Sequence, residues 1–186
     1  MVALALIASA CTAESENAEE LSDAEPAADA SAADPQVPQD LRDLQSFRLS
    51  MERIDKYIAT MTNVGRRISS LSPEEREGAA QQAMGQDPNA SLDDMVQAAE
   101  ANETIREAAR EAGSSPREYV MTGMAYMQAG MAAAVAQMQP QANQDSLARA
   151  MQANPDNMAF VRDNQAALTT KFEAAQAEWE KMGMEN

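Results

Sequence analysis

Residues 115–138 read SPREYVMTGMAYMQAGMAAAVAQM, the most apolar helical segment of the chain. Ser115, Pro116 and Glu118 form a helix start signal, with a hydroxyl cap, a proline at the first helical position and a capping carboxylate. Residues 119–138 then contain no charge. A helix that is apolar or small on nearly every side lies in a protein core or in a bilayer. Its two glutamines and its alanine-rich end favour the core.

One face of this helix has a regular heptad spacing. Its six residues recur with intervals of 4, 3, 4, 3 and 4: Val120, Met124, Met127, Met131, Ala134 and Met138. We expect this face to be buried, since methionine is a flexible filler of cores. Gly123 and Gly130, seven residues apart, lie on one side and predict the close approach of a neighbouring helix.

Two similar stripes predict long helices earlier and later in the chain. The earlier stripe contains Leu44, Phe47, Met51, Ile54, Ile58, Met61, Gly65 and Ile68. The later stripe contains Met158, Val161, Gln165, Leu168, Phe172, Ala175, Trp179 and Met182. We expect one helix to run from Pro38 to a stop at Pro73, and another from Asn154 to Gly183. Gln165, the polar member of the later stripe, is predicted to be buried and to set the packing register.

Residues 73–113 predict a broken helical arm between the first two long helices. Ser72 with Glu75 and Ser91 with Asp94 are start signals, residues 85–90 interrupt the helix, and Gly113 suits a C-terminal position with positive φ. The sequence therefore predicts an all-α domain over residues 38–186. Its expected architecture is an antiparallel helical bundle of about four elements, namely three long helices plus the arm.

The beginning of the chain has a different composition. Cys11, the only cysteine, follows uncharged residues 2–10, which end in Ala8, Ser9 and Ala10. This segment resembles the lipobox signal of bacterial lipoproteins. The resemblance implies a signal peptide at residues 1–10, lipid attachment at Cys11, and a membrane anchor on the periplasmic side of the bacterial cell envelope. Thr12, where some Gram-negative lipoproteins have a retention aspartate, implies the outer membrane.

Residues 11–37 are predicted to be a disordered, acidic tether. Residues 12–36 carry eight acidic residues and no basic one, so they hold half of the net charge of −16. Leu21 is their only large aliphatic residue, which is too little apolar surface to offset the entropy of ordering. Such a charge also repels nucleic acids and anionic lipids, so no nucleic-acid partner is expected.

The residue inventory excludes several functions. The chain has no histidine, which excludes a histidine-ligated haem, a histidine zinc site and a serine or cysteine nucleophile paired with histidine. No glycine-rich phosphate loop is present. We therefore predict a non-enzymatic protein without a cofactor or a bound metal.

Two groups of side chains suggest a ligand site as an alternative to plain packing. Met121, Met124, Met127 and Met131 form an alternative ligand face, because clustered thioethers bind Cu(I) or small apolar molecules. Trp179, Tyr57, Tyr119 and Tyr126 lie near stripe positions. Their positions favour the edge of a core, and the alternative interpretation is that they line a pocket between helices.

The body of the chain also carries a resemblance. Residues 103–120 (ETIREAAREAGSSPREYV) and 154–164 (NPDNMAFVRDN) resemble segments of exported helical proteins of Gram-negative bacteria that have no established activity. The resemblance implies the fold and the compartment and no site residue. The expected function is protein contact in the periplasm by a lipid-anchored helical module, with an envelope protein or a second copy as partner. The alternative is a carrier or sensor for a small apolar ligand or Cu(I).

Overall fold

The computed structural model describes residues 39–76, 78, 90–139, 141 and 143–183. Its helices are α1 (Gln39–Ser46), α2 (Met51–Ser69), α3 (Leu92–Ala101), α4 (Glu103–Glu111), α5 (Pro116–Met138), α6 (Gln144–Ala150), α7 (Pro155–Asp163) and α8 (Gln165–Lys181). Residues 73–76 and 78 are helical as well. These described ranges contain no strand, which confirms the all-α prediction. The signal peptide, Cys11, the tether and most of the interruption at 85–90 lie outside the described residues.

Helix α5 is the centre of the packing. Helices α1, α2, α3, α4, α6 and α7 all contact it, and the described residues belong to one compact unit. The prediction that the uncharged stretch lies in the middle of a helical bundle is confirmed. The specific arrangement of about four antiparallel elements is not confirmed, since breaks divide two of the predicted long helices.

The prediction of one long helix from Pro38 to Pro73 is wrong. Helix α1 ends at Ser46 and α2 begins at Met51. Ser50 has extended backbone angles (φ −146°, ψ 160°), and its hydroxyl accepts a hydrogen bond from the Arg53 N–H at 3.3 Å. Serine is a preferred cap because its oxygen satisfies an N–H group that the first turn leaves unpaired. A cap inside the heptad stripe therefore divides the helix.

Two asparagines at the start of α7 hold this break in place. The Leu49 N–H donates to Asn157 Oδ1 at 2.8 Å, and Asn157 Nδ2 donates to the Phe47 carbonyl at 2.9 Å. Asn154 Nδ2 donates to the Gln45 carbonyl. Asn157 is only 3% exposed. The buried amide thus supplies partners for backbone groups that lack a helical partner at the break.

The last predicted helix is also divided. Helix α7 ends at Asp163 and α8 begins at Gln165, with Asn164 between them donating from Nδ2 to the Phe160 carbonyl at 2.8 Å. Gln165 is exposed and accepts a hydrogen bond from Gln137 Nε2 at 3.4 Å, so its predicted role as a buried register residue is wrong.

The predicted helix boundaries in the middle of the chain are confirmed. Ser115 accepts from the Glu118 N–H at 3.0 Å, with Pro116 in the first turn. Ser91 and Asp94 form a reciprocal capping box, as Ser72 and Glu75 do. Gly113 has φ +68°, the left-handed conformation that closes many helices.

Candidate binding surface on helix α5

The side of α5 that faces the core consists mainly of small residues. We call it the inner face, and its buried members are Met121, Thr122, Ala125, Ala129, Ala132 and Ala133. The distance between two packed helices depends on the side chains at their contact. Because several helices crowd around α5, a face of alanines lets them approach closely. The expectation that the heptad face would be the buried one is therefore wrong.

The heptad face lies toward solvent over much of its length. We call Val120, Met124, Met127, Met131, Ala134 and Met138 the outer face. Met127 is 50% exposed, Met131 49% and Met138 75%, and these are the large exposed apolar side chains in the described part of the chain. Ala134 is exposed too, whereas Val120 and Met124 are partly buried. Helix α5 thus has two apolar faces: the inner face lies in the core, whereas the outer face packs against the core only through Val120 and Met124.

An apolar groove of about 500 Å³ lies along the N-terminal half of the outer face. Four helices form it. Its walls include Tyr57 of α2, Met95 of α3, Ile105 of α4, and Tyr119, Met124 and Met127 of α5. This volume lies within the range of pockets that bury a drug-sized molecule, and the mixture of apolar walls with a few polar groups is typical of such sites. We call it the tyrosine groove.

Tyrosine side chains give the groove its polar groups. The rings of Tyr57 and Tyr119 stack with their centroids 5.2 Å apart and their planes 23° apart. Burial raises the pKa of Tyr119 to about 12 and also raises the pKa of Tyr57 and of Tyr126. All three phenols therefore stay protonated at physiological pH and can donate hydrogen bonds to a ligand.

Gly123 creates the space that Tyr57 occupies. A Cβ atom at this position would lie 3.0 Å from Tyr57 Cε2 and 3.2 Å from its hydroxyl oxygen. At Gly130, by contrast, a Cβ would meet nothing within 4 Å. The two glycines were expected to admit a neighbouring helix. Instead a tyrosine ring occupies one position, and the other is open.

The structure separates the four methionines of the alternative ligand face. Met121 is 5% exposed and belongs to the inner face. Met124 and Met127 line the tyrosine groove, and Met131 lies farther along the outer face. Two of the four methionines therefore lie together in one pocket. The same pocket contains the three tyrosines that were predicted to lie at the edge of a core.

The predicted aromatic group divides in a similar way. Tyr57, Tyr119 and Tyr126 all line the tyrosine groove, and Tyr126 also packs against the core and stacks on Phe172, so these tyrosines lie both at a core edge and at a pocket. Trp179 lies elsewhere, where its Nε1 donates to Thr62 Oγ1 at 3.1 Å. Met95 and Ile105, which the sequence predicts only as apolar positions of the broken arm, were not predicted as site residues, because the thin apolar content of the arm does not indicate a pocket.

Another cavity, which is polar, lies near the break between α1 and α2 and is lined by three arginines. Arg53 pairs with Glu118 at 3.3 Å, Arg117 with Asp43 at 2.7 Å, and Arg48 with Asp156 at 3.0 Å. Each guanidinium already has a carboxylate partner. The cavity is therefore an ion-pair network between elements rather than a ready anion site.

The described ranges contain neither a cluster of metal ligands nor a membrane span. No group of three or more His, Cys, Asp or Glu residues there could hold a metal ion. No described helix is long and apolar enough to cross a membrane. No family model, curated protein or solved structure matches the chain.

Proposed function

We propose that this protein is a non-enzymatic, lipid-anchored module of the bacterial cell envelope that works by protein contact, and that the contact surface is the outer face of α5 with the tyrosine groove. The observation that carries the proposal is the position of the exposed apolar side chains. Met127, Met131 and Met138 all lie on one face of one helix. Concentrated apolar exposure of this kind marks interaction surfaces.

The shape of the surface suits a helical partner. The outer face extends from Val120 to Met138, about 27 Å at 1.5 Å per residue. A small ligand would fill the groove but leave Met131 and Met138 in water. A helix laid along the face would cover both, and methionine adapts its shape to such partners.

The anchor and the domain architecture are part of the same proposal. Lipid at Cys11 would hold the protein on the periplasmic side of the outer membrane, and the acidic tether would let the domain search near its membrane. A flexible tether of about 26 residues spans roughly 30 Å. In this proposal the bundle has four antiparallel elements, namely α1 with α2, α3 with α4, α5 alone, and α7 with α8.

The experiment is site-specific photo-crosslinking in cells that express the full-length protein. A photoreactive amino acid would replace Met131 on the outer face or Ala177, an exposed residue of α8, as a matched control. We expect a discrete crosslinked product from position 131 and none from position 177, with its second member identified by mass spectrometry. Equal, diffuse labelling at both positions would contradict the proposal.

The tyrosine groove specifically favours a second candidate function, which is carriage or sensing of a small apolar ligand or of Cu(I). Met124 and Met127 offer thioethers there, and Tyr119 offers a hydroxyl donor. Titration of the purified protein with Cu(I) and with lipophilic fluorescent probes tests this candidate. Saturable binding that Met124→Ala weakens and Met138→Ala does not would support it, and absence of saturable binding at micromolar concentration would exclude it.

A further inference from the structure

We propose that the outer face of α5 is a site of reversible methionine oxidation by hydrogen peroxide. The modified residues are Met127, Met131 and Met138. Their oxidation converts the face from apolar to polar while the fold stays intact. The inference rests on the proposed function in one respect, because a regulatory effect on a partner requires the contact to lie on this face.

The exposed methionines in the described part of the chain all lie on this face. Met127, Met131 and Met138 are 50%, 49% and 75% exposed. Met121 on the inner face and Met158 in the core are 5% and 3% exposed. An oxidant must reach the sulfur atom, so the susceptibility of a side chain follows its exposure. The fold therefore divides these methionines into an accessible set and a protected set.

Packing does not require methionine at the three exposed positions. Leucine has about the same helix preference and a similar volume, and it would offer a similar apolar surface. Methionine differs from leucine by its flexible thioether. The chain has 14 methionines and one cysteine, so thioethers are its main oxidisable sulfur groups. The outer face thus has a reactivity that three leucines would lack.

Each oxidation consumes one molecule of hydrogen peroxide. The lone pair of the thioether sulfur attacks one peroxide oxygen, so an S–O bond forms and the O–O bond breaks. A proton moves from the attacked oxygen to the departing one, which leaves as water. The sulfur has then lost two electrons to the peroxide and is a sulfoxide. A methionine sulfoxide reductase reverses the change with two thiols, which become a disulfide while the oxygen leaves as water.

The structure explains why this oxidation leaves the core of the domain unchanged. The inner face consists mainly of alanines such as Ala125, Ala129 and Ala132, which contain no oxidisable group. The three outer methionines are half exposed or more, so their sulfoxide oxygens can stay in water. A sulfoxide is polar, and the modified face therefore loses the apolar character that favours contact with a partner.

The first test is the order of oxidation in the full-length protein with Cys11→Ser, which removes the one thiol. Peptide mass spectrometry would follow each methionine during treatment with hydrogen peroxide. We expect the three outer methionines to oxidise at least about tenfold faster than Met121 and Met158, with an unchanged helical circular dichroism signal. Equal rates in the two sets, or loss of the helical signal before the fast set is oxidised, would overturn the proposal.

The second test measures the contact in cells by photo-crosslinking from position 134, an exposed alanine of the same face. A triple variant with Met127→Leu, Met131→Leu and Met138→Leu keeps the apolar surface and cannot be oxidised. A triple variant with glutamine at the same positions imitates the polarity of the sulfoxides. We expect peroxide to lower the crosslink yield of the unsubstituted face at least about tenfold and to leave the leucine variant unchanged. The glutamine variant should crosslink weakly without peroxide.

These outcomes separate this inference from the proposed function. A crosslink that peroxide lowers equally in the leucine variant would overturn the role of the three methionines and leave the contact surface intact. Absence of any crosslink from position 134 in untreated cells would instead contradict the proposed function, whereas the rates of the first test decide the oxidation site by themselves. Sulfoxides that the reductases do not restore in the folded protein would overturn the reversibility.

Discussion

The inner and outer faces of α5 are both apolar and belong to the same helix, yet their side chains differ strongly in solvent exposure. Ala129 and Ala132 of the inner face are 1% and 0% exposed. Met127 and Met131 of the outer face are about half exposed, although each offers far more apolar surface than an alanine. Burial of the methionines would gain more hydrophobic free energy per residue. Because these methionines stay about half exposed, the fold does not obtain this hydrophobic free energy.

The size of side chains, and not their hydrophobicity alone, therefore determines which face of a central helix is buried. Several helices pack around α5, and its core side faces residues from more than one of them. Alanine permits close approach and dense packing, which interiors require. Met121 is accommodated near the N-terminal end of the inner face, but a methionine at the alanine positions would hold the neighbouring helices apart. The larger thioethers consequently remain available for a contact outside the domain.

The largest expected effect comes from breaking the support of the inner face. Met158 and Val161 of α7 share a core cluster with the inner-face alanines, and Asn157 fixes α7 to the break between α1 and α2. Asn157→Ala would leave the Leu49 N–H and the Phe47 carbonyl without this partner. We expect a loss of about 2–4 kcal/mol in the free energy of unfolding, measured by urea denaturation.

Asn143→Ala is the matched control for this variant. Asn143 is exposed, and its side chain accepts from the Ser146 N–H at 2.9 Å as the cap of α6. Loss of an ordinary cap costs about 1 kcal/mol. Equal losses in the two variants would show that Asn157 contributes no more than a helix cap, and that the break does not depend on it.

A pair of identical substitutions compares the two faces directly. Ala129→Leu adds bulk to the inner face, where overpacking costs about 1–3 kcal/mol. Ala134→Leu adds the same bulk to the exposed outer face, where we expect a change within about 0.5 kcal/mol. Both are measured by thermal and urea unfolding, at a concentration low enough to keep the chain monomeric.

The difference in stability between these two variants tests which face of α5 is buried. A larger loss at position 129 supports the assignment of inner and outer faces. If instead Ala134→Leu is the more destabilising, the outer face packs within the monomer, and the case for an external contact there loses its basis.

Local signals made the helix boundaries predictable from the sequence, whereas breaks within a heptad stripe were hidden. The start signal at Ser115 and the positive φ at Gly113 depend on neighbouring residues only, so the sequence contains them in full. The break at residues 47–50 has a local cap in Ser50, but its Leu49 N–H finds a partner in Asn157, 108 positions away. Periodicity alone continues through such a break, because the apolar spacing is kept on both sides.

The candidate surface could be predicted only in part for a related reason. The heptad spacing correctly placed Met124, Met127 and Met131 on one face, but spacing does not say which of two apolar faces is buried. Met95 and Ile105 lie on α3 and α4, and the position of these helices beside α5 is a matter of tertiary structure that local sequence patterns do not contain. The tyrosines carried the useful signal, since an amphipathic aromatic near a stripe fits a groove edge as well as a core edge.

The smallest expected effect concerns the two glycines of α5. Gly130→Ala places a Cβ in open space and should stabilise the monomer by up to about 1 kcal/mol, the usual helix preference for alanine over glycine. Gly123→Ala has the same preference, but its Cβ would lie 3.0 Å from Tyr57 Cε2. The ring must move and disturb its stacking on Tyr119, which is worth about 0.5–1.5 kcal/mol.

We therefore expect Gly123→Ala to be less stable than Gly130→Ala by about 1 kcal/mol in paired unfolding experiments, since only the first displaces an aromatic ring. The near-ultraviolet circular dichroism of the tyrosines should change in the first variant and stay the same in the second. Equal stabilisation with unchanged spectra would mean that Tyr57 adjusts freely. The groove would then have a mobile wall, and its shape in the free protein would not determine what it binds.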